Sequence, residues 1–175
     1  MRTRRPPERV RVPIMDALTD EPIHILLKPA SVADFEALAV LRIDAMRESL
    51  ERIGRFDRTR ARERLRSGFS PEHTRHIEVG PNRVGFVVVK PQADAWLLDH
   101  LYIHPGFQGY GIGAAVLARV FDEADAGHWP IHVTALRDSD SNRFYLRHGF
   151  VKIGEDEWDI HYLRRGRQPD CMGDV

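Results

Sequence analysis

The chain has 175 residues, 42% hydrophobic and 30% charged, with 26 basic side chains balancing 26 acidic ones. That length suffices for one domain with a real core, and the zero net charge argues against a general nucleic-acid binder, which carries a basic excess. No apolar run reaches the ~18 residues of a membrane span, and the single cysteine, Cys171, permits neither an intrachain disulfide nor a cysteine-based zinc site, which fits a reducing cytosol.

Residues 1–21 are rich in Arg and Pro and lack the apolar core of a secretory signal. They read as a flexible arm, with a basic binding arm as the alternative. A single domain is expected over 22–165, followed by a short tail at 166–175. The run IHILLK (23–28), closed by Pro29, reads as a first strand. A helix follows: Ser31 and Asp34 form a capping box, and Val32, Phe35, Leu38, Leu41, Met46, Leu50 and Ile53 recur at near-helical spacing, with a break expected around 43–46. Asp57 caps a second helix carrying Ala61 and Leu65, with Gly68 near its end. Arg52, Arg55, Arg58, Arg60, Arg62, Arg64 and Arg66 crowd this region and read either as a solvated face or as an anion-attracting rim.

HTRHIEV (73–79), the turn GPN and RVGFVVVK (83–90) read as a hairpin, and DAWLLDHLYIHP (94–105) as a further strand stopped by Pro105. A helix from about 109 to 125 keeps Ile112, Val116, Val120, Phe121 and Ala124 on one face. A strand at 131–136, a short helix within 139–150 ended by Gly149, and two last strands around a tight connection at 154–157 complete the order. This alternation predicts an α/β (mixed α+β) fold, a mixed sheet with helices on both faces.

The segment between the fourth strand and its helix carries chemistry. Gly109, Gly111 and Gly113 alternate where a helix begins. The first N–H groups of a helix have no internal partner and carry partial positive charge, and glycine lets a phosphate approach them. The spacing is not that of a P-loop. Gly109, Gly111 and Ala114 do satisfy the G-x-G-x-x-A variant of a dinucleotide site, with Asp138 further on. A nicotinamide-dependent oxidoreductase is opposed by the HPGFQ insertion and by the few residues left to complete such a sheet.

Gln108-Gly109-Tyr110-Gly111-Ile112-Gly113 resembles the Q/R-x-x-G-x-G/A signature of the GNAT superfamily of N-acetyltransferases, and NRFYLRHGF (142–150) resembles its downstream aromatic-Tyr and Gly-Phe signature. The resemblance spans roughly residues 23–163. It implies a mostly antiparallel sheet of six or seven strands with splayed central strands, and acetyl-coenzyme A as cosubstrate with no metal. The diphosphate is expected on Gln108, Gly109, Tyr110, Gly111, Ile112, Gly113 and Ala114, and the pantetheine arm along Leu101, Tyr102 and Ile103, where its amides pair with a strand edge. Tyr145 matches the tyrosine that protonates the departing thiolate, while Asp138 and Asn142 are weaker cofactor contacts. The glutamate that some members carry on the fourth strand is Leu97 here. Asp99 is the substitute base; His76, His132, Glu48, Glu51 or a water relay are alternatives. The acceptor is expected to be a primary amine bound near 45–57, with Met46, Glu48, Ser49, Arg52 and Phe56, and near Trp158, facing Glu155, Asp156, Glu157 and Asp159. An inactive acyl-coenzyme A-binding module is the alternative function. A cytoplasmic protein without nucleic-acid or membrane partners is expected, and a homodimer stays open.

Overall fold

The computed structural model describes residues 23–167. The expected arm at 1–21, most of the expected tail and Cys171 lie outside the described residues. Seven strands, β1 (Ile25–Pro29), β2 (Thr74–Val79), β3 (Asn82–Pro91), β4 (Trp96–Ile103), β5 (Ile131–Leu136), β6 (Val151–Glu155) and β7 (Asp159–Arg164), form one sheet ordered β1-β2-β3-β4-β5-β7-β6. Every neighbouring pair is antiparallel except β4–β5. The helices are α1 (Phe35–Arg52), α2 (Arg58–Gly68), α3 (Ile112–Ala126) and α4 (Ser141–Arg147).

Local chemistry explains the element ends. The Asp34 carboxylate accepts from the Ser31 N–H at 2.8 Å and from its hydroxyl at 2.7 Å, fixing the entry to α1. These bonds hold the Asp34 carboxyl well below the usual carboxylate range. Asp57 accepts from the Arg60 N–H at 3.0 Å and caps α2. The break expected at 43–46 does not occur: α1 runs unbroken, because Arg42 takes a buried place beside Ile43 and bonds the Ala61 carbonyl at 2.7 Å.

Two cores cover the two faces of the sheet. On one face α1 and α2 bury Leu38, Ala39 and Leu65 against Phe86 and Val88. On the other, α3 buries Ile112, Val116, Leu117, Val120 and Ala124 against strand residues such as Val87, Leu98 and Val133, with Tyr145 and Phe150 from the α4 region. Phe121 packs half-buried against this core, and Leu117, which the sequence reading did not place on the face, is fully buried in it.

One ion pair ties β7 to α3. Both guanidinium ends of Arg164 donate to both oxygens of Asp125 at 2.8 Å, and the guanidinium lies 4.0 Å from the Phe121 ring centre. The Arg164 bonds come first among the causes that pull the Asp125 carboxyl from 3.8 down to about 2. A depressed carboxyl stabilises the fold above its unfolded pKa and stops doing so as pH falls through its folded pKa. The Asp125→Asn variant should lose about 2 kcal/mol of unfolding free energy at neutral pH. Denaturant titrations should show the difference from wild type closing between pH 4 and pH 2, the window set by the two Asp125 values of 3.8 and about 2.

Candidate active site

Two of the three glycines of the segment answer a backbone requirement. Gly109 and Gly111 sit at φ 84° and 81°, a left-handed conformation that disfavours side-chain-bearing residues by roughly 1–2 kcal/mol. Gly113 serves packing instead: a Cβ there would lie 3.2 Å from the Phe144 ring, so α3 can approach α4 only without one. The turn leaves the N–H groups of residues 109–114 without an acceptor among the described residues. Helical bonding begins with the Ala115 N–H, which donates to the Gly111 carbonyl at 3.0 Å. Gln108 departs from the expected row of free amides. Its N–H donates to the Pro105 carbonyl at 3.3 Å, and its side-chain amide donates to the Ile103 carbonyl at 2.8 Å.

The strand beside this segment opens as it approaches it. β4 and β5 pair only through Trp96–Ile131, Leu97–His132 and Leu98–Val133. On the other side of β4, Val88 opposes His100 while Val89 opposes Leu98, so Asp99 is an extra, bulged residue. A bulge bends its strand and adds twist, and the parting from β5 starts there. Leu101, Tyr102 and Ile103 therefore pair with β3 on one edge and lie apart from β5 on the other. Leu101 and Ile103 pack toward α3, and Tyr102 packs toward α1, its hydroxyl donating to the Met46 sulfur at 3.2 Å.

Tyr145 is buried at 6% exposure, its ring edge-on to Phe144 and Phe150. Burial pushes its phenol well above the ordinary value, and Tyr102 adds to the effect. Tyr145 belongs to the core on the α3 side of the sheet, and Tyr102 packs against the core on the α1 side. Asn142 is committed internally: its amide donates to the Leu136 and Ser139 carbonyls at 2.9 Å, and its oxygen accepts from the Tyr162 hydroxyl at 2.9 Å. These bonds position α4 at the end of β5 and leave one lone pair on the Asn142 amide oxygen. Asp138 is exposed at φ 62°, and its carbonyl accepts from Arg52 at 3.1 Å.

Asp99 faces α2, with a carboxylate oxygen 2.6 Å from the Lys90 ammonium, which also donates to the Gly68 carbonyl at 2.9 Å. That ion pair engages one of the two carboxylate oxygens of Asp99. The neighbouring His100 imidazole is lowered to about 4, chiefly by burial, so it is neutral at pH 7. Glu48 pairs with Arg52 at 3.4 Å on an exposed helix face. The buried His76 lies 3.4 Å from Asp34, and neither His132 nor Glu51 reaches the cleft described next.

That cleft, of about 110 Å³, lies between α1, α2, the end of β5 and the start of β7. Met46, Trp158 and Asp159 line it as the sequence predicts, together with Arg42, Arg55, Arg60 and Arg64. Glu48, Ser49, Arg52 and Phe56 do not line it. The expected acidic wall shrinks to Asp159. Glu155 turns to Arg137 at 3.5 Å, Asp156 accepts two turn amides at 2.9 Å, and Glu157 is absent from the lining. Burial first, and Asp156 second, raise the Asp159 carboxyl above its ordinary value. Arg42 was missed because it interrupts the apolar stripe of α1; an arginine at a stripe position is the signal that could have found it.

The comparisons agree with this geometry. The model of the GNAT acetyltransferase domain matches residues 72–152. PaiA N-acetyltransferase from Thermoplasma acidophilum, solved in complex with coenzyme A, superposes with a TM-score of 0.68 at 17% identity, over 81% of this chain and 99% of that one. The ribosomal-protein-S18-alanine N-acetyltransferase from Escherichia coli gives 0.64 at 13% identity, over 86% and 100%. N-acetylglutamate synthase from Neisseria gonorrhoeae, complexed with coenzyme A and N-acetyl-glutamate, gives 0.61 at 20% identity, over 85% of this chain and 36% of that one. No curated protein matches the chain in sequence. Residues 72–152, which hold the glycine segment, thus match the GNAT acetyltransferase domain, and the fold of the chain is similar to that of these N-acetyltransferase structures.

Proposed function

We propose that the protein is an acetyl-coenzyme A-dependent N-acetyltransferase acting on the primary amine of a small molecule, an amino acid or a peptide. The observation that carries this reading is the run of unpartnered amides at 109–114 beside a strand edge freed from its neighbour. Those amides have the charge and the open approach that a diphosphate requires. The edge at Leu101–Ile103 supplies backbone groups for the two amides of a pantetheine arm. The coenzyme A held by two of the structural neighbours supports the same cosubstrate. The single cysteine fits a cytoplasmic setting.

When bound, acetyl-coenzyme A supplies an activated acyl carbon: a C–N bond to the amine replaces its C–S bond, one proton leaves nitrogen and one ends on sulfur. The residues of the chain then divide the work. Tyr145, in the core on the α3 and α4 side of the sheet, is proposed to offer its hydroxyl as a donor toward the sulfur. Its raised phenol makes full proton transfer steeper than for a free phenol, so it acts mainly by holding a hydrogen bond to developing negative charge. Asn142 and the contact between Gly113 and Phe144 fix the helix that carries it. Asp99, tied to Lys90, is poorly placed to take the amine proton, which favours water-relayed deprotonation.

Acetyl-coenzyme A should raise the melting temperature, and mixing with an amine panel should release free coenzyme A. Gly111→Val should weaken coenzyme A binding by about 100-fold in calorimetry, since a branched side chain strains the turn and crowds the amides. Tyr145→Phe should lower kcat by about 100-fold while leaving coenzyme A affinity within about 2-fold of wild type, because only the donor at the sulfur is removed.

A further inference from the structure

We infer that the cleft between α1, α2 and β7 is an acceptor subsite for a small amine bearing one or two carboxylates, with Arg60 and Arg64 holding the anion and Asp159 facing the amine. This rests on the acetyltransferase reading above and names the class of substrate for it.

Four of the five arginines of α2 fall into two sets. Arg62 and Arg66 point to Glu36 and Glu63 and are neutralised there. Arg60 and Arg64, one turn apart, line the cleft and have no carboxylate within 4 Å among the described residues. Like charges at this spacing repel and weaken a helix. The pair is therefore unfavourable for the fold alone and favourable once an anion sits between the two guanidinium groups.

A second observation comes from the cleft wall. Arg42 is buried at 7% exposure, with one guanidinium nitrogen bonded to the Ala61 carbonyl at 2.7 Å and its Nε buried without a partner. A buried guanidinium with an unmade bond is costly unless a counter-charge approaches. The lining holds few such charges: against four arginines it has only Asp57 and Asp159. Asp57 is occupied in capping α2. Arg55 lies 4.0 Å over the Trp158 ring, which leaves the planar edge of its guanidinium available to a carboxylate.

Asp159 supplies the opposite pole. Its carboxyl is partly withdrawn from water and pushed upward by that burial and by Asp156, against the smaller opposing pull of His161, Arg64 and Arg55. An ammonium beside it would satisfy it, and as the proton leaves the amine the same carboxylate can receive it directly or through water. Positive and negative poles in one cleft describe a zwitterion. The excess of arginine over aspartate favours an acceptor with a further carboxylate. The volume of about 110 Å³ suits an amino-acid-sized ligand rather than a folded surface.

The test uses the full chain with acetyl-coenzyme A and matched acceptors. Coenzyme A release is followed with glutamate and aspartate, their carboxamide twins, tyramine and spermidine. Carboxylate acceptors should exceed their carboxamide twins in kcat/KM by about 10-fold or more. An Arg60→Gln, Arg64→Gln double variant should raise KM for the carboxylate acceptors, erase that preference and leave the thermal shift by acetyl-coenzyme A in place, which also shows that the fold is intact. Asp159→Asn should move the rising limb of the kcat/KM–pH profile. Equal use of carboxylates and carboxamides, spermidine as the best acceptor, or a preference that survives the double variant would overturn the proposal. A melting temperature unmoved by acetyl-coenzyme A, or no turnover of any amine, would instead overturn the acetyltransferase reading on which it rests.

Discussion

The arrangement depends on β4 and β5 being joined for three residues and then released. A parallel pair that continued to the end of both strands would close the sheet. The backbone groups of Leu101, Tyr102 and Ile103 would then be spent on sheet bonds. One extra residue, Asp99, is enough to prevent it, because a bulge turns the strand while its pairing with β3 persists on the other edge. Stability and access are thus separated: β3 holds the strand, and β5 lets it go.

The opening joins two regions that a closed sheet would isolate. Tyr145 belongs to the core beneath α3 and α4, and Tyr102 leans toward α1 and touches Met46 at the rim of the arginine-lined cleft. The supports of this junction lie outside it. Asn142 ties α4 to the last carbonyl of β5 and to Tyr162 of β7, and Gly113 makes room for Phe144 beside Tyr145. The helix that starts at the glycine segment therefore also seats the helix carrying the tyrosine.

Much of this was legible in the sequence where the backbone itself imposes a residue. Two alternating glycines before an apolar helix, a proline stop after a strand, and caps at Ser31 and Asp57 read correctly, because each answers a local rule. The third glycine could not be read this way. Its reason is Phe144, a contact that exists only after folding. The unbroken course of α1 was hidden for the same reason: Arg42 looks like an interruption until the Ala61 carbonyl of α2 is in reach. At the candidate site, the sequence indicated the glycine turn, whose positive-φ glycines the fold shows, but not which polar atoms were already taken. Asn142 and Asp99 offer suitable chemistry as letters, and in the fold the Asn142 amide nitrogen and one Asp99 carboxylate oxygen are engaged by protein partners. The arginine-rich stretch left two readings open; in the fold Arg62 and Arg66 pair with Glu36 and Glu63, while the exposed Arg60 and Arg64 line the cleft.

The clasp between the Gln108 side chain and the Ile103 carbonyl has one more consequence. It locks the glycine turn to the end of β4, so the two places that would grip a long cosubstrate cannot slide relative to each other. Such a fixed gauge sets how far the far end of the ligand reaches. A longer acyl chain would find no slack behind it and would have to grow forward, past Tyr102 and Met46, into the volume the amine needs. Acyl-chain length would then be discriminated at the mouth of the neighbouring cleft, by competition for space, rather than by the residues that hold the carrier.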